Sequence, residues 1–435
     1  MEIVRGILGI IFLIGIAWVF SNNRRAIDWR LVGVGVALQV VFGLLITQVP
    51  QVAAGFNAVS AGFVRFLSFS ADGAKFLFGN LVNTDSFGFI FAFQVLPTVI
   101  FFSTVSAGLY YLGILQKVVY GIAWVMARTM KLSGAESLSA AGNIFLGQTE
   151  APLLVKPFVA KMTQSELLCL MAGGMATIAG GVMAGYVKFL GGNDLAEQAR
   201  FAAYLLSASI MNAPAAIVMS KVLFPETQYE QIDTRIQVSK ENLGVNLIDA
   251  MSNGAADGLK LALNIGGMLL AFIAVIAMLN YMMENFIGGM FLWDNVTLNQ
   301  MIESSTNGTF KGLNLEYILG QIFRLIAWIM GVDWNDTLLV GSMLGQKTVI
   351  NEFVAYLNLA NVKAAGAMSA KSIVIATYAL CGFSNFSSIA IQIGGIGSMA
   401  PTRQGDLSKL GFRALLAASL ACMMTGTIAG ALVVY

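Results

Sequence analysis

Apolar runs of about 20 residues, separated by short polar stretches, dominate the chain. A helix needs about 20 apolar residues to cross about 30 Å of hydrocarbon. Eight runs meet that requirement: residues 4–21, 31–49, 86–115, 167–187, 201–220, 261–283, 372–400 and 414–435. Between Ser86 and Gln116 no acid or base occurs apart from tyrosine. Barrel strands would alternate instead of running apolar for this long, and lipid does not tolerate an open sheet edge. The pattern predicts an all-α integral membrane protein with eight transmembrane helices.

Two other stretches are apolar along one face. Phe56, Val59, Phe63, Phe66 and Leu67 recur at helical spacing, as do Ile318, Ile322, Leu325, Ile326 and Ile329. Both predict helices lying along the membrane surface, the second with a short span carrying Arg324 as its alternative.

Residues 135–162 and 337–363 are apolar at their ends and polar in their middles. Each arm of about 12 residues reaches about 18 Å, the depth of the bilayer midplane and no further. They predict two re-entrant helical hairpins with polar tips at mid-depth. Non-helical backbone survives there only when buried in protein or lining a cavity.

The hairpins resemble each other. Gly147 and Gln148 precede Glu150; Gly345 and Gln346 precede Glu352. A span rich in small and hydroxyl residues follows each, over 173–181 and 381–388. The glycines beside Thr177, Asn385 and Ser388 predict helices broken at mid-span. Counting crossings makes the two units antiparallel, an inverted repeat with its site near the midplane. Arg24, Arg25 and Arg30 follow the first apolar run, which makes it a retained span with the N-terminus outside. The chain divides into residues 1–130 (spans one to three with an interfacial helix), 131–223 (first repeat), 224–330 (connector, span six and an interfacial helix) and 331–435 (second repeat).

Composition narrows the function. Only 11% of the 435 residues are charged, against about 25% in soluble chains. A net charge of +2 is too small to point to nucleic acid. The complete absence of histidine excludes His-based triads and His-ligated zinc or haem. Cys169, Cys381 and Cys422 lie inside apolar runs and read as core residues. No enzyme chemistry is expected.

Ionisable groups at mid-bilayer depth are costly and functional by default, which singles out Glu150 and Glu352. Their competing reading is an ion pair with Lys156 or Lys347. Gln148, Thr149 and Asn385 add amides and a hydroxyl that both donate and accept, suited to a heterocyclic base. A carboxylate accepts from neighbouring hydroxyls such as those of a sugar. Ser388 follows Asn385 by one turn and shares its face. Val182 and Phe383 serve either as apolar walls for a ligand or as packing. Two acids without an arginine favour a neutral ligand over an anionic one.

The runs 147–152 (Gly-Gln-Thr-Glu-Ala-Pro), 351–353 (Asn-Glu-Phe) and 381–388 (Cys-Gly-Phe-Ser-Asn-Phe-Ser-Ser) resemble, in this order, the concentrative nucleoside transporters. The resemblance covers nearly the whole chain. It implies a sodium-coupled nucleoside importer of the bacterial inner membrane. It also implies a homotrimer in which spans one, two, three and six form a scaffold and the rest moves as an elevator. Carried over by position, base-binding residues fall on Gln148, Thr149, Glu150 and Val182. Ribose-binding residues fall on Glu352, Asn385 and Ser388, with Phe383 beside the ligand. Sodium ligands fall on the side chains of Asn143 and Thr177 and the carbonyls of Leu146 and Ile178. Proton coupling and another small polar solute remain the alternatives.

Overall fold

The computed structural model describes residues 2–237, 244–293 and 296–432. Residues 433–435, the end of the predicted last span, lie outside the described residues. The chain begins with α1 (Glu2–Val19), α2 (Trp29–Gln48), α3 (Pro50–Ser68) and α4 (Ser70–Phe78). The short α5 (Thr84–Phe87) and α6 (Phe91–Gln94) lead into α7 (Leu96–Tyr111) and α8 (Ile114–Met130).

The first repeat follows. Its hairpin has α9 (Gly134–Asn143) as one arm and a 3₁₀ turn, Ala151–Val155, with α10 (Lys156–Val159) as the other. Next come α11 (Gln164–Ala176), α12 (Gly180–Gly191) and α13 (Leu195–Leu223). The connector holds α14 (Leu247–Met282), a two-stranded ribbon of β1 (Phe291–Trp293) and β2 (Val296–Thr297), α15 (Leu298–Ser305) and α16 (Leu315–Ile329). The second repeat has hairpin arms α17 (Thr337–Val349) and α18 (Glu352–Ala364), then α19 (Ala370–Leu380), α20 (Phe386–Met399) and α21 (Gln404–Leu432).

The same succession, hairpin then broken span then long helix, thus occurs twice. The arms α17 and α18 have 13 residues each, about 20 Å, too short to cross. Both predicted broken spans are interrupted at their middles. Thr177, extended at φ −117°, ends α11, and α12 resumes at Gly180. Cys381 ends α19, and Asn385 caps α20 by accepting from the Ser388 amide at 2.9 Å. Paired capping boxes, Ser133 with Glu136 and Thr163 with Glu166, start α9 and α11.

Four boundaries differ from the sequence reading. Among the described residues, eight helical runs are long and apolar enough to cross a membrane, and one of them is 50–82. Its α3 half was expected to lie on the surface, but length and hydropathy suit it equally to a span. The stretch 372–400 leaves the set because its halves have 11 and 14 residues. The amphipathic α8 was not anticipated; Gly113, at φ 73°, separates it from α7. The span predicted over 261–283 starts at Leu247 and has 36 residues. Asp249, Asn253, Asp257 and Lys260 hide its first turns from a hydropathy reading.

The faces of α16 are also reversed from a soluble pattern. Ile322 and Leu325 are 62% and 59% exposed, whereas Leu319, Gly320 and Ala327 are buried. A Cβ on Gly341 of α17 would lie 2.7 Å from the Gly320 carbonyl. Small residues make the contact between helices and apolar ones face lipid, as membrane packing requires.

The core sits around the two breaks. Residues 165–187 are buried throughout, while α1, α2 and α14 stay largely exposed on the protein. Asn212, on α13, donates its amide to Ala176 O at 2.8 Å and to Cys381 O at 2.6 Å. The Cys422 thiol of α21 reaches the same two carbonyls, at 3.4 and 3.3 Å. The Phe383 amide donates to Thr177 O at 3.3 Å. Gly382 permits this approach: a Cβ there would stand 2.7 Å from Ala176 O.

Asn212→Leu strips the amide from two buried carbonyls, each worth about 1–3 kcal/mol when left unsatisfied. The expected result is a clear fall in the thermal unfolding midpoint of the purified protein in detergent; an unchanged midpoint would show that Asn212 does not hold the breaks together.

Candidate functional site

Each break, and each hairpin tip, exposes backbone and polar side chains at the same depth. Together they wall a cavity of about 470 Å³, within the range of small-ligand sites. Gln148, Thr149, Glu150, Val182, Glu352, Phe383, Asn385 and Ser388, the eight residues expected to contact a ligand, all line it.

Glu352 is the most tightly held. It opens α18, where the positive end of the helix dipole favours a carboxylate. The Tyr186 hydroxyl donates to Oε1 at 2.9 Å and the Asn385 amide to Oε2 at 3.0 Å. Glu352 is buried and pairs with neither lysine named as its competing partner; Lys347 donates instead to Ala379 O at 2.8 Å. Asn385 is positioned in turn by its cap and by the Ser387 hydroxyl, 2.7 Å from its Oδ1.

Gln148 joins the first hairpin to the second broken span. Its Nε2 donates to Ser388 Oγ at 3.2 Å, and Gln392 Nε2 donates to its Oε1 at 3.4 Å. Glu150 differs from Glu352. It is exposed to the cavity, and its Oε2 accepts from the Gly147 amide at 2.6 Å, closing the turn of the tip.

The residues expected to hold an ion lie behind the cavity. Asn143 Oδ1 is buried without a hydrogen-bond partner, while its Nδ2 lies 3.4 Å from Ser139 Oγ. Thr177 Oγ1 donates back to Gly173 O at 3.0 Å, leaving its lone pairs free to accept or coordinate. Leu146 and Ile178 are buried where the backbone is not helical. An orphaned amide oxygen, a hydroxyl and loop carbonyls are all neutral oxygens, the donor chemistry that suits a hard monovalent cation. No trio of His, Cys, Asp or Glu is gathered among the described residues.

Several residues at or behind the cavity wall escaped the sequence reading. Tyr186 follows Val182 by one helical turn, and a buried tyrosine hydroxyl needs a partner. It stacks on Tyr356 at 4.3 Å between centroids, which fixes the hydroxyl toward Glu352. Gln392 follows Ser388 by the same interval. Asp257 and Lys260 come from the unanticipated first turns of α14, and Asn264 from the span that was expected. Asp257 also borders a second cavity, of about 200 Å³, that shares Glu150 and runs along α7 and α14.

Three family descriptions match consecutive parts of the chain: Na+ dependent nucleoside transporter N-terminus over residues 8–81, nucleoside recognition (Gate) over 92–193, and Na+ dependent nucleoside transporter C-terminus over 204–430. An uncharacterized transporter of Haemophilus influenzae is 41% identical over 435 residues, covering 99% of this chain and 98% of that one. Sodium/nucleoside cotransporter 1 of Mus musculus is 38% identical; the match covers 98% of this chain but 63% of the longer mouse protein. The solved structure of CNTnw in an inward-facing substrate-bound state aligns with a TM-score of 0.86 at 38% identity, covering 99% of this chain and 98% of that one. A variant of CNTnw in an outward-facing state aligns with the same score.

Proposed function

Because the chain belongs to the Na+ dependent nucleoside transporter family, we propose that it is a multi-pass membrane symporter that imports nucleosides down a sodium gradient. The observation that carries this reading is the single cavity in which Gln148 and Thr149 of one hairpin meet Glu352 of the other, with Asn385 and Ser388 beside them. The amide and hydroxyl of the first pair, with Glu150 and Val182, read the base. Glu352, Asn385 and Ser388 bind the ribose hydroxyls, and Phe383 covers the ligand.

Sodium is bound as co-substrate by the side chains of Asn143 and Thr177 and the carbonyls of Leu146 and Ile178. The unpartnered Asn143 Oδ1 supports this assignment. An ion at the root of the first hairpin orders its tip, so sodium and nucleoside raise each other's affinity by the same factor. One charge moved inward gains about 2.3 kcal/mol per 100 mV, enough to concentrate a neutral nucleoside about 50-fold.

Alternating access follows from residues 131–223 and 331–435 moving together against residues 1–130 and 224–330. The ties from Asn212 and Cys422 across both breaks make the two repeats one body. The protomers assemble as a homotrimer and the moving part travels as an elevator; alignment to CNTnw in both inward- and outward-facing states supports the alternation of access.

The direct test is radiolabelled uridine uptake into proteoliposomes with sodium, pH and voltage set separately. Glu352→Gln should weaken uridine binding by roughly 10- to 150-fold, the loss of a charge-assisted hydrogen bond worth about 1.5–3 kcal/mol. Free uracil should bind poorly even to the wild type, and equal affinity for uracil and uridine would refute ribose recognition. Gln148→Ala should narrow the preference among nucleosides more than it lowers affinity, because a reading group discriminates through the partners a wrong ligand leaves unpaired. Equal weakening of every nucleoside would assign Gln148 to holding the tip. Wild-type uridine binding should weaken when choline replaces sodium, and Asn143→Leu should remove that dependence. Wild-type binding unchanged in choline, with uptake driven by a pH gradient, would make protons the coupling ion.

A further inference from the structure

The two repeats satisfy the ends of their broken helices differently. Both α11 and α19 stop in mid-protein with their negative C-terminal ends close together. In the second repeat a full positive charge meets that end. Lys347, on the first hairpin arm α17, is 3% exposed and donates its ammonium to Ala379 O, one residue before the end of α19. In the first repeat the corresponding end meets the neutral groups of Thr177, Asn212 and Cys422.

The two arrangements are counterparts by element, each at the end of the first arm of its hairpin, although the Gly-Gln match of the tips pairs Lys347 with Thr149. Asn143 ends the first arm of the first hairpin and packs on α11: a Cβ on Gly173 would lie 3.1 Å from its Nδ2. Lys347 lies in the last turn of the first arm of the second hairpin and touches α19. Each precedes the glutamate of its own hairpin, Glu150 or Glu352. One arm offers an oxygen with no partner; the other offers an ammonium.

We propose that Lys347 is a tethered cation, the fixed counterpart in the second repeat of the mobile cation bound in the first, and that it limits the protein to one coupling ion per cycle. This rests on the sodium reading given above. A tethered charge crosses with the moving body in both directions and adds nothing to the net charge carried. A mobile ion in the same place would enter loaded and leave the carrier empty, adding one charge per turnover. Lys347 does not border the ligand cavity, so it is a positioning residue: it neutralises the end of α19 and holds the second hairpin against it.

The test measures uridine uptake, charge moved per uridine and thermal unfolding against sodium, on wild type and two variants. Lys347→Met keeps the apolar stem but has neither charge nor oxygen. It should lose uptake by roughly ten-fold or more, without recovery at high sodium. Lys347→Asn supplies an oxygen and leaves room for an ion. Its uptake should recover as sodium rises, with a Hill slope moving from about 1 toward 2 and the charge per uridine from about one to about two. Its stabilisation against heat should steepen with sodium in the same way, a readout independent of transport. Wild-type uptake by Lys347→Met would overturn the proposal, as would a wild-type sodium slope and charge ratio in Lys347→Asn. Failure of Lys347→Asn to accumulate at any sodium, while Lys347→Met accumulates normally, would overturn it too. A wild type indifferent to sodium would overturn the sodium reading as well; a sodium-dependent wild type with unaltered variants would overturn this inference alone.

Discussion

Backbone carbonyls ended in mid-membrane must be satisfied inside the protein, because lipid offers them no partner. Asn212 answers that constraint for both repeats at once, with hydrogen bonds of 2.8 and 2.6 Å to Ala176 O and Cys381 O. Only because those ends are covered can α11 and α19 stop where they do. Only because they stop can Ala179 and the side chains and cap at 383–388 face the cavity. The glycine at 382 lets the two breaks approach, and the Cys422 thiol closes the other side. The polar centre and its apolar surroundings are therefore one design: α11 and α19 are buried so that their broken ends can meet the polar groups of α13.

The parts of the fold legible in the sequence were those with a local signature. The hairpin tips announced themselves by polar residues inside short apolar runs, and the broken spans by glycines beside hydroxyl and amide side chains. All eight expected ligand-facing residues line one cavity because both signatures occur at the same depth. Residues acting through tertiary contact were not legible. Tyr186, Gln392 and Asn212 are ordinary polar positions on helices until the opposing helix is known. Lys347 entered only as the competing partner of a glutamate, and it bonds instead to a carbonyl of another helix. Hydropathy failed for a different reason at α14, whose first turns carry Asp249, which accepts from the Val245 amide, and Asn253, Asp257 and Lys260, which border cavities.

The apolar stripe of α16 reads differently in a membrane than in water. In water an apolar stripe marks the buried face of a helix, whereas on α16 the isoleucine and leucine stripe is largely exposed and the buried face is made of Gly320, Ala327 and Leu319. The stripe is a signature of lipid contact, and close packing is carried by the residues that hydropathy weights least. Periodicity thus locates such a helix, and the membrane decides which of its faces is buried in protein.

The wall supplied by α14 has a further consequence. Asp257 borders the ligand cavity together with Glu150 and Glu352, against the single ammonium of Lys260, which lies 3.7 Å from Asp257. The cavity therefore carries an excess of negative charge. A nucleoside is neutral and enters freely, but its monophosphate carries about two negative charges at neutral pH and is repelled by the same wall. Phosphorylation in the receiving compartment would then make the arrival irreversible: the modified molecule is no longer a ligand for the carrier that admitted it, and retention needs no lock on the carrier itself.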